Sequence, residues 1–427
     1  MNVMVVGGGG REHAIAWKAA CSGKVEKVYC APGNGGTAAE NKCENINIKP
    51  SDFAKLADFA KKNNIELTIV GPEDPLVEGI VDFFEARGLK VFGPCSEAAQ
   101  IEASKAFAKD VMDKAGIPTA EYQRFTDYNE ALAYVDKKGV PIVIKADGLA
   151  AGKGVTVAFE RQEARGALKN ILVDKIFGES GSSVVIEEYL NGEEASYLAF
   201  TDGNTILPLQ SSQDHKPVFD GDKGPNTGGM GAYSPAPVVT QDIMDYVTEN
   251  VANPLINELK QRGIIYKGII YAGLMITDNG VKVLEFNCRF GDPETQPILY
   301  RMESDITDVI SKCIEEKLDS VNIEWNEKPS VCVVISSGGY PKAYNKGCEI
   351  TGIEDAETIE NVKVFHAGTA EVNGKLVTSG GRVLGVTAKG DGLQNAIEKA
   401  YNAVEKIRFS NMHYRKDIGN KALGRMK

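Results

Sequence analysis

The sequence predicts a multidomain protein of mixed α/β and α+β class, and three observations predict it. At 427 residues the chain exceeds what one core can organise and calls for about three domains. Its N-terminal part alternates short β-runs with helical stretches, the pattern of an open parallel sheet. Its C-terminal part is a small β-rich module closed by a helix.

Glycine and proline punctuation marks the elements in turn. Residues 2–6 read as a strand that stops at Gly7, Gly8, Gly9 and Gly10, and residues 11–20 as the helix that follows. Residues 27–30 form a second strand ending at Pro32-Gly33-Asn34. After a helix at 52–62, the strand at 67–70 ends at Gly71-Pro72-Glu73. A helix at 77–87 and a short strand at 91–92 ending at Gly93-Pro94 complete the series. Turns at the carboxyl ends of parallel strands are where such Rossmann-like sheets bind ligands. A helical stretch from Ser96 leads to Gly116-Ile117-Pro118, a boundary. Strands at 141–145 and 155–159, a helix at 163–174 and a strand at 183–188 form a compact α+β unit. It interrupts a larger piece that resumes near residue 190 with a strand at 194–201 and runs to about Trp325. The final module holds strands at 331–336, 362–364, 375–378 and 382–388 and a helix at 392–407. The expected division is 1–102; 103–118 with 190–325; 119–189; and 326–427.

Composition removes several function classes. A net charge of −11 opposes nucleic-acid binding, which needs a basic surface. The apolar N-terminal run meets glycines within a few residues and lacks a basic lead, so it is no signal peptide. No apolar stretch approaches the ~20 residues that span a bilayer. The eight cysteines (21, 30, 43, 95, 288, 313, 332, 348) contain no C-x-x-C pair, and the four histidines are widely spaced. That pattern opposes a zinc site or a disulfide framework and fits a reducing cytoplasm.

The stretch L-E-F-N-C-R-F-G-D-P-E-T-Q-P, residues 284–297, carries the most chemistry. On a strand, Glu285 and Asn287 share one face while Phe286 points to the core, which sets two hard oxygen donors on a rigid edge. The alternative is an exposed polar face. Arg289 keeps the same parity, and Gly291-Asp292-Pro293-Glu294 adds a turn rich in carboxylates. The glycines at 7–10 open a helix whose N-terminal N–H groups suit an anion, or else form a plain turn. A nicotinamide reading fails there, because Glu12 and His13 occupy the third-glycine positions and no acid closes the second strand. The loop at 147–154, flanked by Lys145 and Lys153, is no Walker A loop; it reads as a glycine hairpin over phosphates or a β-turn. Glu187-Glu188-Tyr189-Leu190 with Glu194 reads as an adenine- and ribose-binding hinge or a solvated acidic surface. The polar loops at 211–216 and 224–236 are too long for idle spacers. Within them Asp214 suits a substrate ammonium group, whereas His215 reads as structural.

Five motifs in order, G-G-R-E-H-A, K-A-D-G-L-A-A-G-K-G, S-Q-D-H-K, G-P-N-T-G-G-M-G-A-Y-S-P-A-P and E-F-N-C-R-F-G-D-P-E-T-Q, resemble the phosphoribosylamine–glycine ligase (glycinamide ribonucleotide synthetase) family. That family belongs to the ATP-grasp superfamily of carbon–nitrogen ligases, and the resemblance runs from Val3 to about Gly419. It departs at Gly8, where the family often carries a polar residue such as Asn. The resemblance implies an N-terminal open-sheet domain, two α+β grasp halves and a C-terminal module. It also implies a monomeric enzyme of purine biosynthesis that joins glycine to 5-phosphoribosylamine with ATP and Mg²⁺ (or Mn²⁺), through an acyl phosphate. Carried over, Lys105, Lys145, Gly148, Gly152, Lys153 and Gly154 face the ATP phosphates. Glu187, Glu188, Tyr189, Leu190 and Glu194 take adenine and ribose, and Glu285 and Asn287 the metal. Gly9, Gly10, Arg11, Glu12, Pro32, Gly33, Asn34 and Arg289 face the ribosylamine phosphate. Asp214, Lys216, Gly291, Asp292, Pro293 and Glu294 face the amine-bearing substrates, with Arg289, Lys145 and Asp214 catalytic. Rival readings are a formate- or bicarbonate-using relative and a nucleotide sensor without turnover.

Overall fold

In the computed structural model, which describes residues 1–149 and 154–425, the strand Asn2–Gly7 pairs in parallel with Lys27–Pro32 on one side and Ile65–Val70 on the other. Cys43–Asn45 and Val91–Phe92 form the edges of this five-stranded sheet. Val3 to Val6 are fully buried, the mark of a strand covered on both faces. Winding reverses direction at Asn2–Gly7, so the loops after residues 7, 32 and 70 converge at one end of the sheet.

Two expected helices are each broken. The stretch at 77–87 is Glu73–Val77 and Ile80–Glu85, parted by Gly79 at φ 91°. From Ser96 the chain forms Ser96–Ala103 and then Lys105–Ala115. Ser104 breaks the run with an extended backbone and caps the new helix through the Phe107 N–H. The expected helix at 163–174 is α-helical over Arg161–Leu168 and π-helical over Lys169–Val173.

Strands Tyr122–Phe125, Val184–Glu188, Ile142–Ala146 and Val155–Ala158 make an antiparallel sheet in that order. With two helices it encloses its own core, including Phe125, Val135, Ile144, Leu168 and Ile186. A second antiparallel sheet orders Ile206–Pro208, Glu193–Thr201, Gly268–Thr277 and Gly280–Asn287. This sheet shares both faces of its packing with the N-terminal sheet: Met4, Phe84, Tyr197 and Phe286 fall in one cluster, and Val5, Ile15, Phe200 and Ile298 in another. Those two sheets form one packed body, and the smaller sheet is the part with a core to itself.

The C-terminal sheet recruits residues from the middle of the chain. Gln213–Asp214 and Gly231–Ser234 precede Ser330–Ser337, Arg382–Lys389 and Val362–His366, and Met412–His413 pairs with Ser330–Ser337. Helix Leu393–Val404 covers it with Ala396, Ala400 and Val404 fully buried. Among the described residues no helix is long and apolar enough to cross a membrane.

Candidate active site

Strand Gly280–Asn287 alternates as its sequence predicts: Phe286 is 3% exposed, while Glu285 and Asn287 are half-buried on the opposite face. Burial works against the charge of Glu285, but Lys216, Lys145, Lys105 and Arg289 outweigh it and lower its pKa. The nearest of these, Lys216 Nζ, stands 3.8 Å from the carboxylate. Apart from this ion pair, neither side chain hydrogen-bonds to another described residue. Among the described residues no cluster of three or more His, Cys, Asp or Glu side chains is placed to hold a metal. One carboxylate and one amide are too few for a divalent cation alone; they fit Mg²⁺ that draws its other oxygens from phosphates and water.

Beside this pair lies a buried cationic group. Lys145 Nζ sits 2.8 Å from Glu187 Oε2 and donates to the Leu284 carbonyl at 3.1 Å. Lys109, 3.3 Å from Glu187 Oε1, completes the arrangement. Burial drives the Lys109 pKa down to about 8, with Lys145 pushing the same way against Glu187. Lys109 was absent from the sequence expectations, although it lies one helical turn beyond Lys105 on the same face. Glu187, expected at adenine, is thus bound to two lysines. Lys105 donates to the Gly148 carbonyl at 3.1 Å, and Asp147 accepts from the Ala106 N–H at 3.2 Å, which ties the start of the 147–154 loop to a helix N-terminus. Gly152 and Lys153 lie outside the described residues, and Gly154 pairs its carbonyl with the Ala146 N–H at 2.8 Å. Leu190 packs with Ala120 and Met275, the Tyr189 ring meets Phe159, and Glu188 pairs with Lys282 at 2.6 Å.

On the other side of Glu285 is an acidic pocket around Lys216. Burial raises the Asp214 pKa to about 7, and Glu294, Glu194 and Glu285 push it further against the pull of Lys216. Lys216 itself is 3.0 Å from Glu194; burial opposes its charge, yet Glu194, Asp214 and Glu285 raise its pKa well above the usual value. Glu294 is buried and accepts from Ser196 Oγ at 3.0 Å and the Tyr271 hydroxyl at 2.6 Å, two residues without a sequence signal. His215 turns to the Gly231 carbonyl, and burial with Arg415 lowers its pKa to about 4.

A cavity of about 390 Å³ lies where the N-terminal strands end. Gly8, Gly9, Pro32, Gly33 and Asn34 form one wall, Asp292 part of the floor, and Thr369, Ser379 and Arg382 the opposite wall. The two N-terminal loops touch closely: a Cβ on Gly8 would fall 2.5 Å from the Gly33 carbonyl oxygen. The polar residue frequent at position 8 in the resembled family therefore needs a different loop spacing. Arg382 pairs with Asp292 at 2.9 Å and also donates to its backbone carbonyl at 2.6 Å. Asn34 Oδ1 accepts from the Gly36 and Thr37 N–H groups and caps a short helix. The wall from the C-terminal module was not anticipated, although glycine turns such as S-G-G-R at 379–382 mark it.

Four expected phosphate-side residues sit outside the lining. Gly10 starts its helix beneath Gln296. Arg11 donates to the Phe290 carbonyl at 3.1 Å and pairs with Glu12, which accepts from the Gly9 N–H at 2.6 Å. Arg289 bridges Glu73 at 3.2 Å and Glu102 at 2.7 Å. Burial opposes its charge, but the two carboxylates raise its pKa. In the 291–294 turn, Pro293 packs on Gly229 and Gly291 leaves space for the Glu294 carboxylate.

The chain matches the phosphoribosylglycinamide synthetase descriptions along its length: the N domain over residues 1–102, the ATP-grasp (A) domain over 103–295 and the C domain over 330–421. It is 54% identical over 426 residues to phosphoribosylamine–glycine ligase of Pseudomonas aeruginosa, covering 100% of this chain and 99% of that one. The relative of the same name from Vibrio vulnificus shows the same identity and coverage. The crystal structure of phosphoribosylamine–glycine ligase from Thermotoga maritima superposes with a TM-score of 0.84 at 35% identity, covering 98% of this chain and 100% of that one. The biotin carboxylase domain of Hydrogenobacter thermophilus 2-oxoglutarate carboxylase, solved with MgADP, shares the fold at TM-score 0.72 and 17% identity, covering 97% of this chain and 91% of that one.

Proposed function

The chain belongs to the phosphoribosylglycinamide synthetase family, and from that premise we propose that it ligates glycine to 5-phosphoribosylamine with ATP, giving glycinamide ribonucleotide, ADP and phosphate in de novo purine biosynthesis. One observation carries the reading at the level of chemistry. Glu285 is held ionised by lysines of both neighbouring groups, Lys105 and Lys145 on one side and Lys216 of the acidic pocket on the other. A metal-binding edge placed there meets phosphates on one side and an amine-bearing substrate on the other.

In this reading Lys105 and Lys145 neutralise the nucleotide phosphates, and Glu285 and Asn287 hold Mg²⁺, with Mn²⁺ as a substitute. Bound there, the metal offsets phosphate charge as the terminal phosphoryl group moves. Glycine enters with its ammonium group toward Asp214 and Glu294, and its carboxylate oxygen attacks the γ-phosphorus while ADP leaves. The ribosylamine nitrogen then attacks the acyl carbon and gives up a proton, the C–O bond breaks, and phosphate departs with one oxygen from glycine and takes up that proton. Positioning and charge suffice for these steps, so no side-chain nucleophile is needed. The N-terminal glycine loops and the C-terminal turns hold the ribosylamine phosphate. Residues 119–189 act as a lid on the body built from 1–102, 103–118 and 190–325, with 326–427 completing the substrate side; the separate core of the lid supports that division. The chain works as a monomer in the cytoplasm, a compartment that suits the eight free cysteines.

Glycine carrying heavy oxygen in its carboxylate tests the route. One labelled oxygen per turnover should appear in inorganic phosphate; unlabelled phosphate would refute the acyl phosphate.

A further inference from the structure

The turn at 366–369 carries Ala367, Gly368 and Thr369 into the cavity wall, and N-terminal side chains grip both backbone groups of His366. Its N–H donates to His13 Nδ1 at 2.8 Å, and its carbonyl accepts from Asn34 Nδ2 at 2.8 Å. Thr369 Oγ1 accepts from the Gly35 N–H at 3.1 Å. Because Nδ1 of His13 accepts a hydrogen bond, its ring proton belongs on Nε2, which faces Glu40 Oε2 at 3.2 Å. Glu40 is fixed in turn by Lys363 at 2.9 Å. The imidazole is 1% exposed, and Gly36 is wedged against it: a Cβ there would lie 2.3 Å from His13 Cε1 and 2.5 Å from His366 Cγ. The chain Lys363–Glu40–His13–His366 therefore runs from the C-terminal module into the N-terminal domain and back, ending on the wall of the cavity.

We propose that His13 is a positioning residue for the amine substrate: its unprotonated Nδ1 docks the 366–369 turn on the N-terminal sheet and thereby sets the cavity that receives the ribosylamine. The inference rests on the assignment of that cavity to 5-phosphoribosylamine. His13 contacts no reacting atom; it acts by holding a wall.

Steady-state kinetics with phosphoribosylamine generated in place, on His13→Gln, His13→Asn and Ser379→Asp, test it. An Asn Oδ1 falls where Nδ1 was and restores the acceptor, whereas the Gln amide falls near Nε2 and leaves the His366 N–H unpaired. His13→Gln should raise KM for phosphoribosylamine about tenfold or more, with KM for ATP and glycine within twofold of the parent; His13→Asn should recover most of that loss. Unchanged KM for phosphoribosylamine in His13→Gln, an equal rise for all three substrates, or no difference between Asn and Gln would overturn the proposal. Ser379→Asp puts a negative charge into the cavity and should raise KM for phosphoribosylamine through repulsion of its phosphate. If Ser379→Asp has the effect and His13→Gln does not, the clamp alone fails. If Ser379→Asp leaves that KM unchanged, the cavity assignment fails and the clamp with it.

Discussion

Glu285 and Asp214 both feel the charge of Lys216, yet their environments push their protons in opposite directions. Cations keep Glu285 ionised and available to a metal, so Glu285→Ala should cut turnover ~10²-fold or more even at saturating Mg²⁺. Near-normal turnover under those conditions would remove it from the metal site. Asp214 carries the opposite signature. Its folded carboxyl keeps a proton to about pH 7, whereas an unfolded chain releases it near the ordinary ~3.9. Folding takes up a proton between those values, so the contribution of Asp214 to stability declines as pH rises across that window. Thermal melting without substrates should therefore show Asp214→Asn stabilised relative to the parent at pH 8 and little changed near pH 4. Glycine should reverse the comparison: its KM should rise as pH falls below about 7 in the parent, and be high and flat in Asp214→Asn. A KM for glycine that ignores both pH and this substitution would dismiss Asp214 as the ammonium partner.

The 122–188 sheet, proposed as the lid, has a core of its own. Leu168 is fully buried in that core, and Leu168→Ala should cost ~2–5 kcal/mol. Amide exchange should show the loss confined to the lid strands, with the N-terminal sheet unaffected. The body behaves differently, since Arg289, just beyond strand Gly280–Asn287, pairs with Glu73 and with Glu102. Arg289→Ala strands a carboxylate and should cost ~3–5 kcal/mol in a denaturant melt. Much of this was legible in the sequence at the level of single elements. The Glu285/Asn287 alternation, four of the five parallel N-terminal strands and three of the four strands of the 122–188 sheet follow from period and punctuation, whereas the short edge strands Cys43–Asn45 and Tyr122–Phe125 were missed. Strand Gly268–Thr277 was missed because its run G-I-I-Y-A-G-L-M-I-T is buried almost throughout and shows no alternation. The break at Ser104 was missed although a capping serine is a local signal: Ser104 Oγ accepts from the Phe107 N–H and also donates to Asp147 at 3.2 Å. The roles of Arg11 and Arg289 were equally hidden, since the carboxylates that engage them are remote in sequence.

At the scale of the whole molecule, the cavity proposed for the ribosylamine belongs to no single segment. The N-terminal loops and the C-terminal turns each supply a wall, and Arg382 fastens the Asp292 turn to the far module. Sequence motifs mark the first wall strongly and the second weakly, because backbone turns need few particular side chains. The same sharing places Asp214 on a strand of the C-terminal sheet, so the proposed glycine and ribosylamine sites draw on three parts of the chain. A ligase of this design should release ADP only when every partner is present. The most direct measurement is ADP release by the purified protein with ATP, Mg²⁺, glycine and phosphoribosylamine generated in place. Release that depends jointly on glycine and phosphoribosylamine, with one ADP per glycinamide ribonucleotide, is the predicted result. ADP release no greater than background with all four present, or release that persists at full rate without glycine, would contradict it.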